Sequence, residues 1–309
     1  MSVTAYVNAR LIDPAAGYDG PGAVVVDDET IAASGPDARA PDGALVFDCG
    51  GHVLCPGLID MRVFTGEPGA EHKETLATAS DAAAAGGVTS MIVMPDTDPV
   101  IDDVALVDFI SRRARGTAKV NVAPMAAITK GLQGQEMTEI GLLKAAGAVA
   151  FTDGRRSIRD AGLMRRALAY AATYDALICA YTEDLSLASG VMNESEMSAR
   201  LGLAGSPAAA ETIMLGRDLA LAELTGARYH ASQISCRGSL EAIESAKARG
   251  LAVTCAASVN HLVLNEIDIG DYRTFLRMEP PLRAEDDRAA LADALARGIV
   301  DVIVSSHDP

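Results

Sequence analysis

The sequence predicts an α/β chain: a (β/α)8 TIM-like barrel preceded by a small β unit. Three observations carry that expectation. From Leu54 onward, short apolar runs of strand length alternate with amphipathic stretches of helical period. Eight such runs fall within roughly 250 residues, the span that a closed ring of strand–helix units needs. No GxGxxG follows the first run, so the glycine fingerprint of a doubly wound sheet is missing.

Residues 3–13 (VTAYVNARLID) and 23–35 (AVVVDDETIAASG) read as short antiparallel strands joined by Gly/Pro/Asp turns. They place a small β unit over residues 1–53 and leave 54–309 to the barrel. The eight barrel runs are 54–64, 89–95, 119–125, 148–153, 177–183, 228–235, 252–258 and 301–307. Helices are predicted between them over 73–87, 104–116, 163–174, 239–250 and 285–298, and several finish on Gly, which tolerates the left-handed conformation at a helix end. The connection from Met192 to Thr225 is longer than the others and adds extra helix. The eighth run is followed only by Asp308 and Pro309, with no closing helix, so a C-terminal truncation is expected.

Composition narrows the function classes. Of 309 residues, 49% are hydrophobic, enough for a sizeable core. No apolar run is long enough to cross a bilayer and no leader pattern opens the chain, so a cytoplasmic protein is expected. The net charge of −16 sets nucleic acid and anionic membranes aside as partners. The five cysteines form no CxxC pair, and most stand in apolar runs, where a free thiol is a small buried hydrophobe.

In a barrel of this kind the chemistry sits at the carboxyl ends of the strands. There the chain places DMRVFTGEPG (60–69), MPDTDPV (94–100), AFTDG (150–154), YTED (181–184), YHASQIS (229–235), EPPLR (279–283) and SSHDP (305–309). This ordered series resembles the dihydroorotases, within the cyclic amidohydrolases; allantoinase and dihydropyrimidinase share the scaffold. The resemblance implies an amidohydrolase-type barrel and makes residues 1–53 the N-terminal part of a β-sandwich domain, completed in that family by C-terminal strands.

The departures from the family pattern are more informative than the matches. Arg62 and Phe64 stand where the family has two histidine ligands on strand one, and Gly66 replaces the arginine that grips the substrate carboxylate. Asp96 replaces a substrate-contacting asparagine, Tyr181 and Gln233 replace two further histidine ligands, and Ser306 replaces the general-base aspartate. Glu279 stands for another asparagine, and Asp153 survives at the strand-four ligand position. His261 and His307 match histidines near the family's pocket. Zinc needs imidazole, thiolate or carboxylate donors. A guanidinium offers no lone pair, phenylalanine has none, and one carboxylate does not hold a metal. The family's hydrolysis, which needs a metal-activated water, is therefore expected to be lost, with no cofactor. Arg62 is expected to occupy the former metal position and pair with Asp153, while Phe64 fills the remaining volume.

Plainer roles compete with chemical ones. His52 and His72 read as loop residues, and His230 as a packed one. Glu183 and Asp184 form either an acid/base pair or, the favoured reading, a turn that caps the next helix. A Ser306–His307 dyad is awkward because adjacent strand residues face opposite ways. RRSIRD (155–160) reads as a solvated helix start or an anion-binding basic cluster.

Three functions are carried forward. The first is a non-catalytic dihydroorotase-like protein of pyrimidine biosynthesis, a homo- or hetero-oligomer that the resemblance pairs with aspartate carbamoyltransferase. The second is an active cyclic amide hydrolase of the dihydroorotase, allantoinase or hydantoinase kind with a remodelled site, the only reading that calls for zinc. The third is a small-molecule binding module.

Overall fold

A computed structural model describes residues 3–309; the first two residues of the predicted N-terminal unit lie outside the described residues. The chain divides into two compact units between Leu58 and Ile59. In the first, β1 (Val3–Asp13) pairs antiparallel with β2 (Tyr18–Asp27), which pairs antiparallel with β3 (Thr30–Gly35). On its other edge β1 pairs in parallel with β4 (Leu45–Asp48) and β5 (Val53–Leu54). The predicted strand 23–35 is thus the end of one strand and all of another. Asp28 takes a left-handed φ of 51°, a turn conformation that Asp tolerates. Ala5, Ala9, Leu11, Ala23 and Val25 are buried, the period of two expected of a sheet with one covered face.

The second unit follows the predicted alternation. It runs β6 (Leu58–Val63), α1 (Leu76–Ala85), β7 (Val88–Val93), α2 (Val104–Thr117), β8 (Asn121–Pro124), α3 (Ile140–Ala145) and α4 (Ala161–Thr173). It continues through β9 (Leu177–Ala180), β10 (Met192–Asn193), α5 (Glu196–Leu201), β11 (Gly205–Ser206), α6 (Ala209–Thr225) and β12 (Arg228–Ala231). It ends with α7 (Arg237–Ala248), β13 (Val253–Ser258), α8 (Val259–Val263), α9 (Glu285–Ala296) and β14 (Val302–Val304). Three short 3-10 turns lie in the loops. Polar side chains start the helices by accepting from orphan N–H groups: Asp103 from Leu106 N at 3.0 Å, Asp160 from Leu163 N at 2.8 Å. The long connection 192–225 adds a two-stranded parallel pair, β10 with β11, as well as helix.

The strands form one sheet in the order β6-β7-β8 and another in the order β14-β13-β12-β9. Single parallel bridges link them: Ala126 to Phe151, Phe151 to Ile178, and Val63 to His307. The predicted run 148–153 makes only these single bridges and no continuous ladder. Gly147 and Gly154, at φ 114° and 67°, turn the chain at either end of it. Each of the eight predicted runs is therefore paired to the next, and the last to the first. Helix residues Leu76, Ile110, Leu143, Leu168, Leu215 and Ile243 pack against strand residues Met91, Ile178, Tyr229 and Cys255 in one core. Among the described residues no helix is long and apolar enough to cross a membrane.

Candidate functional site

At the carboxyl ends of β6, β12, β13 and β14 lies a polar cavity of about 450 Å³. A larger one of about 700 Å³ lies between the ends of α1 and α2 and the starts of β7 and β8, on the opposite side of the sheet ends. The smaller cavity holds the chemistry-bearing residues. Arg62, Gln233, Glu279 and Ser306 line it, together with Arg155, Ser258, Asn260, Arg277 and Asp308.

On β6, Asp60 Oδ1 accepts from Arg62 N at 3.2 Å and from Ser305 N at 3.4 Å, so the first and last strands are tied at this end. Phe64 N donates to His307 O at 2.9 Å. Arg62 is buried, 8% exposed, and its Nε has no hydrogen-bond partner. Burial pushes its pKa down, against the pull of Tyr181 and Asp96. Phe64 is buried as expected, with two cations over its ring: Lys73 Nζ at 5.8 Å from the centroid and the Arg155 guanidinium carbon at 5.7 Å.

Arg62 does not pair with Asp153. The Asp153 carboxylate is already satisfied by Ile128 N at 3.0 Å, Thr129 N at 2.9 Å and the Thr129 hydroxyl at 2.5 Å. Burial raises its pKa while these donors oppose the rise. Three local donors have replaced the cation that a sequence argument supplies. Asp96 instead faces Arg155, whose Nε donates to Asp96 Oδ2 at 3.3 Å and whose Nη1 donates to Asp308 Oδ2 at 2.6 Å.

Tyr181 is buried and donates to Glu183 Oε2 at 2.5 Å. Burial raises the Glu183 pKa, and burial and Glu183 hold the phenol well above its ordinary value. The YTED segment therefore divides its roles. Glu183 is an inward partner of Tyr181, and Asp184 holds an exposed turn by accepting from Ser186 N at 2.8 Å. Neither caps a following helix.

The histidines are committed elsewhere. His230 Nδ1 meets Thr254 Oγ1 at 2.8 Å, and burial lowers its pKa to about 4. His261 Nε2 lies 3.0 Å from Pro280 O and fixes the EPPLR loop; burial lowers its pKa too. His307 Nε2 pairs with Glu74 Oε2 at 2.5 Å, and the Ser306 hydroxyl has no partner, so no Ser306–His307 dyad exists. Gly66 sits at φ 69°, and a Cβ there would lie 2.6 Å from Ala70 O. Asp153, Tyr181, His261, His307 and Gly66 thus stand near the strand ends without lining the cavity.

The retained motif residues are structural. Glu67 accepts from Leu76 N at 2.8 Å at the start of α1 and from Arg113 Nε at 2.5 Å. Arg283 is buried and donates to Ser235 Oγ at 2.9 Å, Asn193 Oδ1 at 3.1 Å and Ser206 O at 2.8 Å, with Glu211 at 3.7 Å. Of the lining residues, Ser258 and Arg277 were not singled out by sequence. Arg155 opens the basic run 155–160 read from the sequence, after Asp153 and Gly154.

The dihydro-orotase-like family matches residues 51–239. A protein named dihydroorotase from Solibacter usitatus is 45% identical over 303 residues, spanning 98% of this chain and 70% of that protein. One of the same name from Citrifermentans bemidjiense is 43% identical over 301 residues, 97% of this chain and 71% of that protein. Among solved structures, L-hydantoinase (dihydropyrimidinase) from Arthrobacter aurescens superposes with a TM-score of 0.86 at 23% identity. It covers 99% of this chain and 69% of that one. The likeness to this structure is one of fold.

Proposed function

Because the chain belongs to the dihydro-orotase-like family, we propose that it is a dihydroorotase-like protein of pyrimidine biosynthesis that no longer hydrolyses a cyclic amide. The ring of parallel pairings supports a (β/α)8 barrel of the amidohydrolase type, and the sheet before it the N-terminal part of a β-sandwich.

One observation carries the reading. At the mouth, the positions that would hold metal bear Arg62, Phe64, Tyr181, Gln233 and Ser306, and the remaining carboxylate, Asp153, is spent on Ile128 and Thr129. This donor set does not fit zinc: a guanidinium and a phenyl ring have no lone pair to give, and a buried phenol or amide is a weak donor at neutral pH. A water bound there stays far too weak an acid to attack an amide. The fold and its motif arginine Arg283 would then be kept for an assembly role in the cytoplasm, with aspartate carbamoyltransferase as the partner we propose.

Metal content and dihydroorotate turnover of the purified chain, with and without added zinc, test this. Neither stoichiometric zinc nor turnover is expected; both together overturn the reading. Co-elution with aspartate carbamoyltransferase in size exclusion tests the partner, and separate elution counts against it. The 45% identity to a protein named dihydroorotase favours a second reading, an active hydrolase with a remodelled site, and the same turnover assay decides between them.

A further inference from the structure

We infer that residues 156–166, the basic loop and the outer face of α4 that it leads into, dock an acidic segment of another protein, with Arg159, Arg165 and Arg166 as anchors. The inference does not depend on the state of the mouth or on turnover.

This stretch holds four arginines and one aspartate, a net +3 in a chain of −16, so the remainder carries −19. All four arginines are exposed, and none forms an ion pair among the described residues. The lone acid, Asp160, accepts from Leu163 N at 2.8 Å and is committed to the start of α4. A second basic run, Arg112, Arg113 and Arg115, is different: Asp108 and Glu67 pair with its first two members. Like charges gathered without counter-ions repel one another, and an incoming acid relieves that repulsion.

The loop is held in place before any partner arrives. Ser157 Oγ donates to Glu183 O at 2.6 Å, and Arg217 Nη1 donates to Ile158 O at 2.7 Å and to Arg159 O at 3.1 Å. Ile158 is buried and pins the centre of the loop. On α4, Leu163, Met164, Ala167 and Leu168 are buried, which leaves Arg165 and Arg166 outward between exposed Gly162 and Ala169. Those small neighbours let a partner's main chain come close to the guanidinium groups. Donors on a pinned loop lose less freedom on binding than donors on a mobile one.

The chemistry selects a protein. A guanidinium fork matches a carboxylate. The phosphates of a nucleic acid would run on over the acidic remainder, and residues 156–166 offer no aromatic face for a base to stack on. A membrane surface needs exposed apolar side chains, and Ile158, Leu163 and Met164 are all buried. A short acidic segment stays within the patch, where screening over about 8–10 Å at physiological salt hides it from the rest of the chain.

The test is fluorescence anisotropy of a labelled oligo-glutamate peptide with the full chain over a salt series. Oligo-glutamine of equal length, a single-stranded oligonucleotide and phosphatidylserine vesicles are the other probes. Saturable peptide binding that weakens as salt rises is expected, with no response to oligo-glutamine and weaker responses to the other two. Arg159→Ser, Arg165→Ser and Arg166→Ser combined should weaken peptide binding about fivefold or more, as loss of three exposed ion pairs requires. Arg165→Ser alone should weaken it about twofold, which keeps the test decisive if the triple variant fails to fold. Arg39→Ser, Arg112→Ser and Arg115→Ser combined remove the same charge elsewhere and should leave binding unchanged. No salt-sensitive peptide binding, equal weakening by the two triple variants, or tighter binding of the oligonucleotide or the vesicles overturns the inference. So does self-association of the wild type, read by sedimentation, that the first triple variant abolishes, since a second copy would then occupy the patch.

Discussion

Asp153 shows what a single residue type does and does not announce. Its identity and its place at the end of the fourth run were legible; its partners were not, because backbone N–H groups leave no trace in the side-chain code. The carboxylate is 3% exposed and holds Ile128 N and Thr129 N. Asp153→Ala would strand these donors and should cost about 2–4 kcal/mol, read as a shift of the urea midpoint, with Asp153→Asn milder. His230 yields a pH prediction. Its folded pKa is about 4, below the unfolded value near 6.5, so between those limits the unfolded chain binds more protons. Stability should fall as pH drops through that window, by up to about 1.4 kcal/mol per pH unit from this group. The buried carboxyls Asp153 and Glu183, with raised pKa values, act the opposite way above their unfolded range. The difference between wild type and His230→Asn isolates the histidine: the variant should lose that part of the slope.

The elements were legible where a period repeated and obscure where one residue did the pairing. The long helices carry a spacing that buries one stripe, and α2 and α4 fall where the pattern puts them. The run 148–153 has the composition of a strand, yet its ladder stops at Phe151 because a glycine turns the chain on either side. The contacts of α6 were invisible in sequence. It brings Glu211 to Ser235 N at 2.9 Å and near Arg283, and Asp218 to the Tyr229 hydroxyl at 3.0 Å. Arg283→Met would leave Glu211 buried without its cation and should destabilise the chain by about 3–5 kcal/mol in chemical denaturation, with Glu211→Gln added to it recovering part of the loss. Asp103→Ala at the start of α2 should cost about 1 kcal/mol.

For the molecule as a whole, the order of runs foretold the order of pairing, since each strand–helix unit lies beside its neighbour in sequence. The site was half legible: substituted positions could be named, but Arg155, which gathers Asp96 and Asp308, comes from a loop whose course no period encodes. The charge balance has its own consequence. With 42 acidic against 26 basic side chains, the folded chain repels itself, so raising salt from about 0.01 M to about 0.15 M should raise the melting temperature. Gly66 carries a longer consequence. The backbone between it and Ala70 has closed over the space a side chain would need. Gly66→Arg should therefore lower the melting point. Any side chain at that position would have to wait for the main chain to move, which no single codon can order.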